Sequence, residues 1–125
     1  MIRTMLIVAL GGGIGSALRF AVGRCLQDHV AGAFPLPTFV VNVAGCLLIG
    51  LFYGLSLRGS LGGSSAKTLL TTGLCGGFTT FSTFCNENLA LLREGRTLTA
   101  FAYAGCSVAL GFAAVAAGYW IAERA

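Results

Sequence analysis

Gly73-Leu74-Cys75-Gly76-Gly77-Phe78-Thr79-Thr80-Phe81-Ser82-Thr83-Phe84 is a poor helix written inside an apolar segment long enough to cross a bilayer. Adjacent glycines followed by two β-branched threonines lower helix propensity by about 2 kcal/mol over the four positions, so the pattern predicts a local break. Counted from Lys67 at a rise of about 1.5 Å per residue, the Gly76-Gly77 pair lies about 14 Å into a hydrocarbon core about 30 Å thick. Lipid cannot satisfy the N–H and C=O groups that a break sets free. Non-helical backbone at that depth persists only where protein buries it or where it lines a watery cavity or ion site, so this segment is expected to face other helices.

Outward from that stretch, the composition fixes the class. The chain has 125 residues, 56% hydrophobic and 10% charged, with a mean hydropathy of +0.86. Soluble domains carry about 25% charged residues. The expected fold is an all-α membrane protein: one domain, 1–125, of four transmembrane helices over about 4–26, 38–57, 67–93 and 97–122. The third is expected to break near the bilayer midplane, and no soluble domain remains. Met1-Ile2-Arg3 opens like a secretory signal, but no small-residue cleavage site follows and apolar character resumes past Arg19, so this stretch reads as a transmembrane helix. Cys25, Cys46, Cys75, Cys85 and Cys106 form no CxxC pair and read as small buried residues.

The net charge of +4 sits on basic residues scattered singly at span ends, which excludes nucleic acid as a partner. With four spans, one side of the membrane carries Arg3, Arg58, Lys67 and Arg124, and the other Arg19, Arg24, Arg93 and Arg96. A tie gives the insertion machinery no orientation signal. The chain is therefore expected to insert both ways and to form an antiparallel, dual-topology homodimer.

In the first span, Gly11 and Gly15 make a GxxxG pair suited to close helix packing. Arg19 falls inside the membrane boundary, where it either snorkels to the interface or faces a vestibule and draws anions. Pro35 and Pro37 end helical continuity and place the start of the second span at Thr38. Asn42 is that span's strong polar group, and its amide needs partners either on another helix or on an ion. Gly50 and Gly54 repeat the GxxxG spacing, and the Gly/Ser-rich connection from Arg58 to Lys67 reads as flexible and exposed. Glu87 follows the break near the far interface. In the fourth span Gly105, Ala109, Ala113 and Ala117 form a packing stripe, Tyr103 and Ser107 put two hydroxyls on one face, and Tyr119 and Trp120 fit an aromatic belt.

Beyond the break, Phe81 and Phe84 project from one helical face and Thr80 and Thr83 from an adjacent one. The rings either pack simply or act through their quadrupole, since a phenyl edge is positive and attracts an anion without a full charge. With an asparagine amide and hydroxyl donors, such edges suit a small hydrated anion that must shed water without being trapped. Carbonyls freed by the break do the opposite: as hard oxygen ligands, those of two inverted copies meeting at mid-membrane can hold a cation.

The combination of Gly11 to Phe20, Pro37 to Gly45, and Gly73 to Phe84 resembles the Fluc fluoride channels, also called CrcB proteins, and the likeness covers all four spans. The resemblance implies a channel and not an enzyme: a dual-topology homodimer in a bacterial-type inner (plasma) membrane, exporting fluoride passively from the cytoplasm and relieving its toxicity. By that likeness Phe81, Phe84 and Asn42 line the fluoride pore, with Thr80, Ser82, Thr83, Tyr103 and Ser107 on its polar side and Arg19 and Glu87 at its mouth. Gly76 and Thr79 match residues whose backbone carbonyls hold a central structural sodium ion (Na+) at the dimer interface. The sequence departs from the family pattern at Pro37, where glycine is frequent, and at Cys85, where serine is.

Two other readings compete. A small multidrug or guanidinium-type proton-coupled exporter has similar length and also inserts both ways, but its chemistry needs a buried carboxylate in the first span, and Met1 to Gln27 contains no Asp or Glu. A non-transporting membrane assembly subunit would use the GxxxG pairs, yet has little reason to keep a broken, polar centre.

Overall fold

The computed structural model describes residues 1–30 and 32–124; Ala31, in the first connection, and Ala125, the last residue of the expected domain, lie outside it. Among the described residues the chain is helical and contains no strand. Helix α1 spans Ile2–Gln27 and α2 spans Leu36–Leu57. Residues 64–78 form α3, which is α-helical at Ser64–Thr68 and Gly76–Phe78 with π-turns at Leu69–Cys75 between them. Helix α4 is Phe81–Arg93 and α5 is Thr97–Arg124. Of these, α1, α2 and α5 are long and apolar enough to cross a membrane as single helices.

The helix ends follow local chemistry. Helix α2 starts two residues before Thr38 because Pro37 sits in its first turn, where a missing N–H leaves no bond unmade. Helices α2 and α4 stop on Gly59 and Gly95, whose positive φ angles let the following amides fold back on the last-turn carbonyls: Ser60 N–H donates to Leu55 O and Arg96 N–H to Leu91 O.

The break exists, but two residues later than the glycine pair suggests. Gly76 and Gly77 are helical, and Thr79 (φ −89°, ψ 161°) and Thr80 (φ −149°, ψ 120°) are extended. Packing decides this. A Cβ on Gly77 would stand 2.5 Å from the Gly12 carbonyl oxygen, so this glycine serves contact with α1 while remaining helical. β-Branched threonines tolerate extended backbone readily, and the kink falls on them.

Two glycine-lined seams then set the arrangement. Helix α1 lies on α3 through Gly11 and Gly15: a Cβ on Gly11 would lie 2.9 Å from the Gly73 Cα, and one on Gly15 would overlap the Leu74 carbonyl. Helix α2 lies on α5 through Gly50, against the Val115 carbonyl, and Gly54, against the Ala122 methyl, while Gly118 meets the Leu47 carbonyl. Both GxxxG pairs thus pack as their spacing suggests.

The stripe Gly105-Ala109-Ala113-Ala117 does not. These four residues are exposed on the protomer, and α5 packs instead through Ala100, Tyr103, Gly111, Gly118 and Ala122. Gly118, where a Cβ would overlap the Leu47 carbonyl, permits a closer approach than an alanine does, and it fixes the face that α5 buries within the protomer. The cysteines are likewise corrected: Cys75 is buried and Cys46 half-buried, but Cys25, Cys85 and Cys106 are exposed. A weakly polar thiol loses little on a surface suited to lipid.

Two substitutions separate packing from propensity. Gly15→Ala, which drives a methyl into the Leu74 carbonyl, should destabilise the protein by about 1–3 kcal/mol as overpacking does. Gly13→Ala, with nothing within 4 Å, should be neutral or stabilising. Thermal unfolding in detergent should rank them in that order.

Candidate functional site

Several of the backbone groups that the break sets free are claimed by named partners. Thr80 is tied at both ends of its peptide to one side chain: its N–H donates to Asn42 Oδ1 at 2.8 Å, and its carbonyl accepts from Asn42 Nδ2 at 3.0 Å. The asparagine on α2 thereby stands in for a neighbouring backbone strand. On the α3 side, Arg19 Nε donates to the Gly77 carbonyl at 3.2 Å, which places a cation at a helix C-terminus, an arrangement worth about 1 kcal/mol. On the α4 side, Thr80 is the N-cap, its Oγ1 accepting from Thr83 N–H at 3.3 Å.

Carbonyls are left over by the same geometry, those of Gly76 and Thr79 among them. In a continuous helix the Thr80 N–H would close on the Gly76 carbonyl and the Thr83 N–H on that of Thr79. Both amides point elsewhere, to Asn42 and to the Thr80 hydroxyl. Gly76 and Thr79 line the larger of two clefts, about 570 Å³, together with Asn42, Thr80, Phe81, Phe84 and Ser107. This cleft is open on the protomer.

A smaller cleft, about 470 Å³, lies on the other side of the break, lined by Arg19, Thr38, Thr80 and Thr83 among others. Thr80 belongs to both. Its hydroxyl donates to Thr83 Oγ1 at 3.1 Å, so the Thr83 proton remains for the smaller cleft. Asn42 has likewise committed one of its two Nδ2 hydrogens and keeps the other. Ser107 Oγ is buried with no partner among the described residues, and it too lines the larger cleft. Ser82 is exposed, 3.5 Å from Thr80 Oγ1, and lines neither of these clefts.

Glu87 is held on both oxygens. Thr38 Oγ1 donates to Oε2 at 3.1 Å and Tyr103 OH to Oε1 at 2.9 Å. Tyr103 is fully buried, its ring 5.0 Å from Phe84 and 5.4 Å from Phe34. Phe84 is thus fixed from behind, and Phe81 lies 5.9 Å beyond it at an interplanar angle of 33°, 76% exposed. The phenylalanines sit side by side on the open cleft while one presents most of its surface outward.

The structure therefore brings Asn42, Thr80, Phe81, Phe84, Ser107, Gly76 and Thr79 to one cleft and Arg19, Thr80 and Thr83 to the other. Tyr103 and Glu87 form a separate hydroxyl–carboxylate pair behind them. Sequence reasoning passed over Thr38, whose only signal is its place one residue after Pro37 at the head of α2. It also passed over Gly45, where a Cβ would overlap the Thr79 methyl, so this glycine makes room for the break.

The model of the family described as CrcB-like protein, Camphor Resistance (CrcB), matches residues 6–119. A fluoride-specific ion channel FluC of Flavobacterium psychrophilum is 47% identical over 98% of this chain and 98% of its own length. The protein of the same name from Phocaeicola vulgatus is 45% identical over 97% of this chain and 99% of its own, and that of Aquifex aeolicus 44% over 93% and 94%. These relatives are named as channels, not enzymes.

Asn42→Ala strips both partners from the Thr80 peptide and should cost about 1–3 kcal/mol per group left unpaired. Asn42→Asp keeps the acceptor but sets a carboxylate oxygen against the Thr80 carbonyl, and should be at least as damaging. Amide hydrogen exchange at Thr80 should quicken in both, while exchange along α5 stays slow.

Proposed function

We propose that this chain, which belongs to the CrcB family, is a passive fluoride channel that lets the ion leave the cytoplasm across a bacterial-type inner membrane and so limits its toxicity. The observation that carries this reading is the way the break is held. Asn42, Arg19 and Thr80 take up its backbone groups so that side-chain hydrogens face the clefts on either side, while the Gly76 and Thr79 carbonyls stand at the open edge of the larger one. Fluoride is a small, strongly hydrated anion, and to enter an apolar protein it needs donors that replace its water.

The residues present supply a sequence of such donors. Arg19 on the smaller cleft raises local anion concentration, and its remaining guanidinium hydrogens face the same space as the Thr83 hydroxyl. On the larger cleft the spare Asn42 amide hydrogen, the Ser107 hydroxyl and the edges of Phe81 and Phe84 offer weak, repeated attraction without a full charge. No single site is deep enough to hold the ion. A larger halide, with a weaker need for short hydrogen bonds and a greater radius, fits these narrow contacts less well.

In this reading α3 and α4 together make a fourth crossing, with the break near the bilayer midplane, and the even charge distribution leads two copies to insert in opposite directions as an antiparallel homodimer. The open side of the larger cleft, where Phe81 is exposed and the Gly76 and Thr79 carbonyls lack their usual helical donors, is the face a second copy would cover. Those carbonyls suit a hard monovalent cation such as sodium, shared with their counterparts in the partner. Bound there, Na+ would supply positive charge near the anion path and join the two copies. The proton-coupled exporter reading has no carboxylate in α1 to work with, and the assembly-subunit reading leaves the clefts unexplained.

Purified protein in liposomes should release fluoride down its gradient, followed by a fluoride electrode, and chloride efflux at a comparable rate would end the selectivity reading. Phe81→Ile and Phe84→Ile keep apolar bulk and remove the ring edge. Each should cut fluoride flux at least about tenfold, the scale at which small losses of positioning are felt, with dimer size unchanged on gel filtration; normal transport by both would defeat the role given to the rings. Tags on each terminus should be reachable from both sides of the membrane, and a single orientation would exclude the antiparallel dimer.

A further inference from the structure

The two clefts meet at Thr80 and lead to opposite ends of α2. Pro37, Thr38 and Val41, in its first turns, line the smaller one, and Asn42, Cys46, Ile49 and Tyr53 line the larger. At a rise of about 1.5 Å per residue, the stripe from Asn42 to Tyr53 runs about 16 Å, half of a hydrocarbon core about 30 Å thick. Facing it on α3, Thr79, Cys75 and Thr71 line the same cleft at successively greater distances from the break. The larger cleft is therefore a trough leading from the break toward the end of the bundle where α2 finishes and α3 begins.

At the far end, an anion on this route meets two cations, since Arg19 and Arg24 both line the smaller cleft. No Arg, Lys, Asp or Glu among the described residues lines the larger one. One cation stands at its outer end. Lys67 is half-buried, one turn before Thr71, whose hydroxyl donates to the Lys67 carbonyl. The Lys67 Nζ lies 5.0 Å from the centroid of the Tyr53 ring, the last residue of α2 to line the cleft. An ammonium on a flexible four-carbon stem samples many rotamers in water, and the negative face of the ring holds this one beside the mouth. Of the other cations on this side, Arg58 donates to the Ala122 carbonyl and Arg124 lies over the Trp120 ring, both on α5.

We propose that Lys67, held over Tyr53, is the anion-gathering residue at the outer end of the larger cleft: its charge draws fluoride from solution into the trough that leads to the Asn42 amide and the phenylalanine edges. The inference rests on the fluoride-channel reading and adds to it a second charged mouth, on the side opposite Arg19. Tyr53 is a positioning residue that acts through Lys67. A unit charge about 6 Å away through water raises the local concentration of a monovalent anion about threefold. Salt removes that gain, because the screening length falls from about 30 Å at 0.01 M to about 3 Å at 1 M.

In the liposome assay, initial fluoride efflux is followed against fluoride concentration, with ionic strength set by an impermeant salt. At about 0.01 M salt, Lys67→Gln should raise the half-saturating fluoride concentration about threefold and Lys67→Glu about tenfold, while Lys67→Arg stays near the parent. At about 1 M the variants should converge. Tyr53→Leu should shift the value in the same direction as Lys67→Gln, and Tyr53→Phe, which keeps the ring, should not. The field has a second readout at Thr72, an exposed residue lining the same cleft. In Thr72→Cys protein, the rate of modification by an anionic methanethiosulfonate relative to a cationic one, located by mass spectrometry, should fall about tenfold when Lys67→Gln is added. A half-saturating concentration indifferent to Lys67→Gln overturns the proposal, as does a shift that persists at 1 M salt or one that Lys67→Arg shares. A labelling ratio unchanged by Lys67→Gln, or no labelling at all, also overturns it, since the trough then gives water-borne ions no entry beside Lys67. A parent protein that conducts no fluoride would defeat the channel reading, and the labelling ratio would then decide by itself whether Lys67 draws anions into the cleft.

Discussion

A helix interrupted inside apolar surroundings survives only if its freed peptide groups are taken up by protein, and here one side chain carries the central share. Asn42 accepts from the Thr80 N–H and donates to the Thr80 carbonyl. Each such group left dry would cost about 1–3 kcal/mol, comparable with a sizeable fraction of a small protein's stability. With those two satisfied from α2, α4 can start afresh on the Thr80 cap and α3 can stop on Arg19. The clefts exist because the chain turns at this point, and the chain can turn because α2 supplies an amide at the right depth.

That amide reaches its target only because backbones elsewhere come very close. Helix α1 meets α3 across Gly11, Gly15, Gly73 and Gly77, and Gly45 clears room on α2 for the Thr79 methyl. A methyl at any of these positions would displace α3 by a large part of an ångström, which is also the tolerance of a hydrogen bond. The glycines of the interrupted segment therefore act through what they let approach. Their conformational freedom goes unused: both Gly76 and Gly77 keep helical backbone.

This explains which parts of the structure could be read from the chain. Long apolar runs declared the class, and the GxxxG pairs named the packing faces of α1 and α2 because glycine spacing acts between neighbours in sequence. The interruption was legible as weakness but not in place, since the glycines and threonines both disfavour helix and only contact with Gly12 shows which pair must stay wound. The face that α5 buries within the protomer was not legible for a similar reason. Four small residues at equal spacing outweigh one glycine in the sequence, yet Gly118 admits the closer approach. Thr38 and Glu87 are 49 positions apart, and nothing local marks them as partners.

The same bonds that hold the interruption also decide what the polar interior can attract. The acceptors nearest the break are engaged: both Glu87 oxygens accept hydroxyls, the Gly77 and Thr80 carbonyls each accept a side-chain donor, and the Thr80 hydroxyl accepts the Thr83 amide. Donor hydrogens remain on Asn42, Thr83, Ser107 and Arg19. Carbonyls without their usual helical donors occur where the Gly76 and Thr79 backbones meet the open cleft, on the side of the exposed Phe81. A hydrogen-bonding scheme needed simply to keep a kinked helix folded thus sorts the site into a donor-rich interior and an acceptor-bearing edge. The first suits a small anion and the second a hard cation, and both follow from which partner the Thr80 and Thr83 amides take.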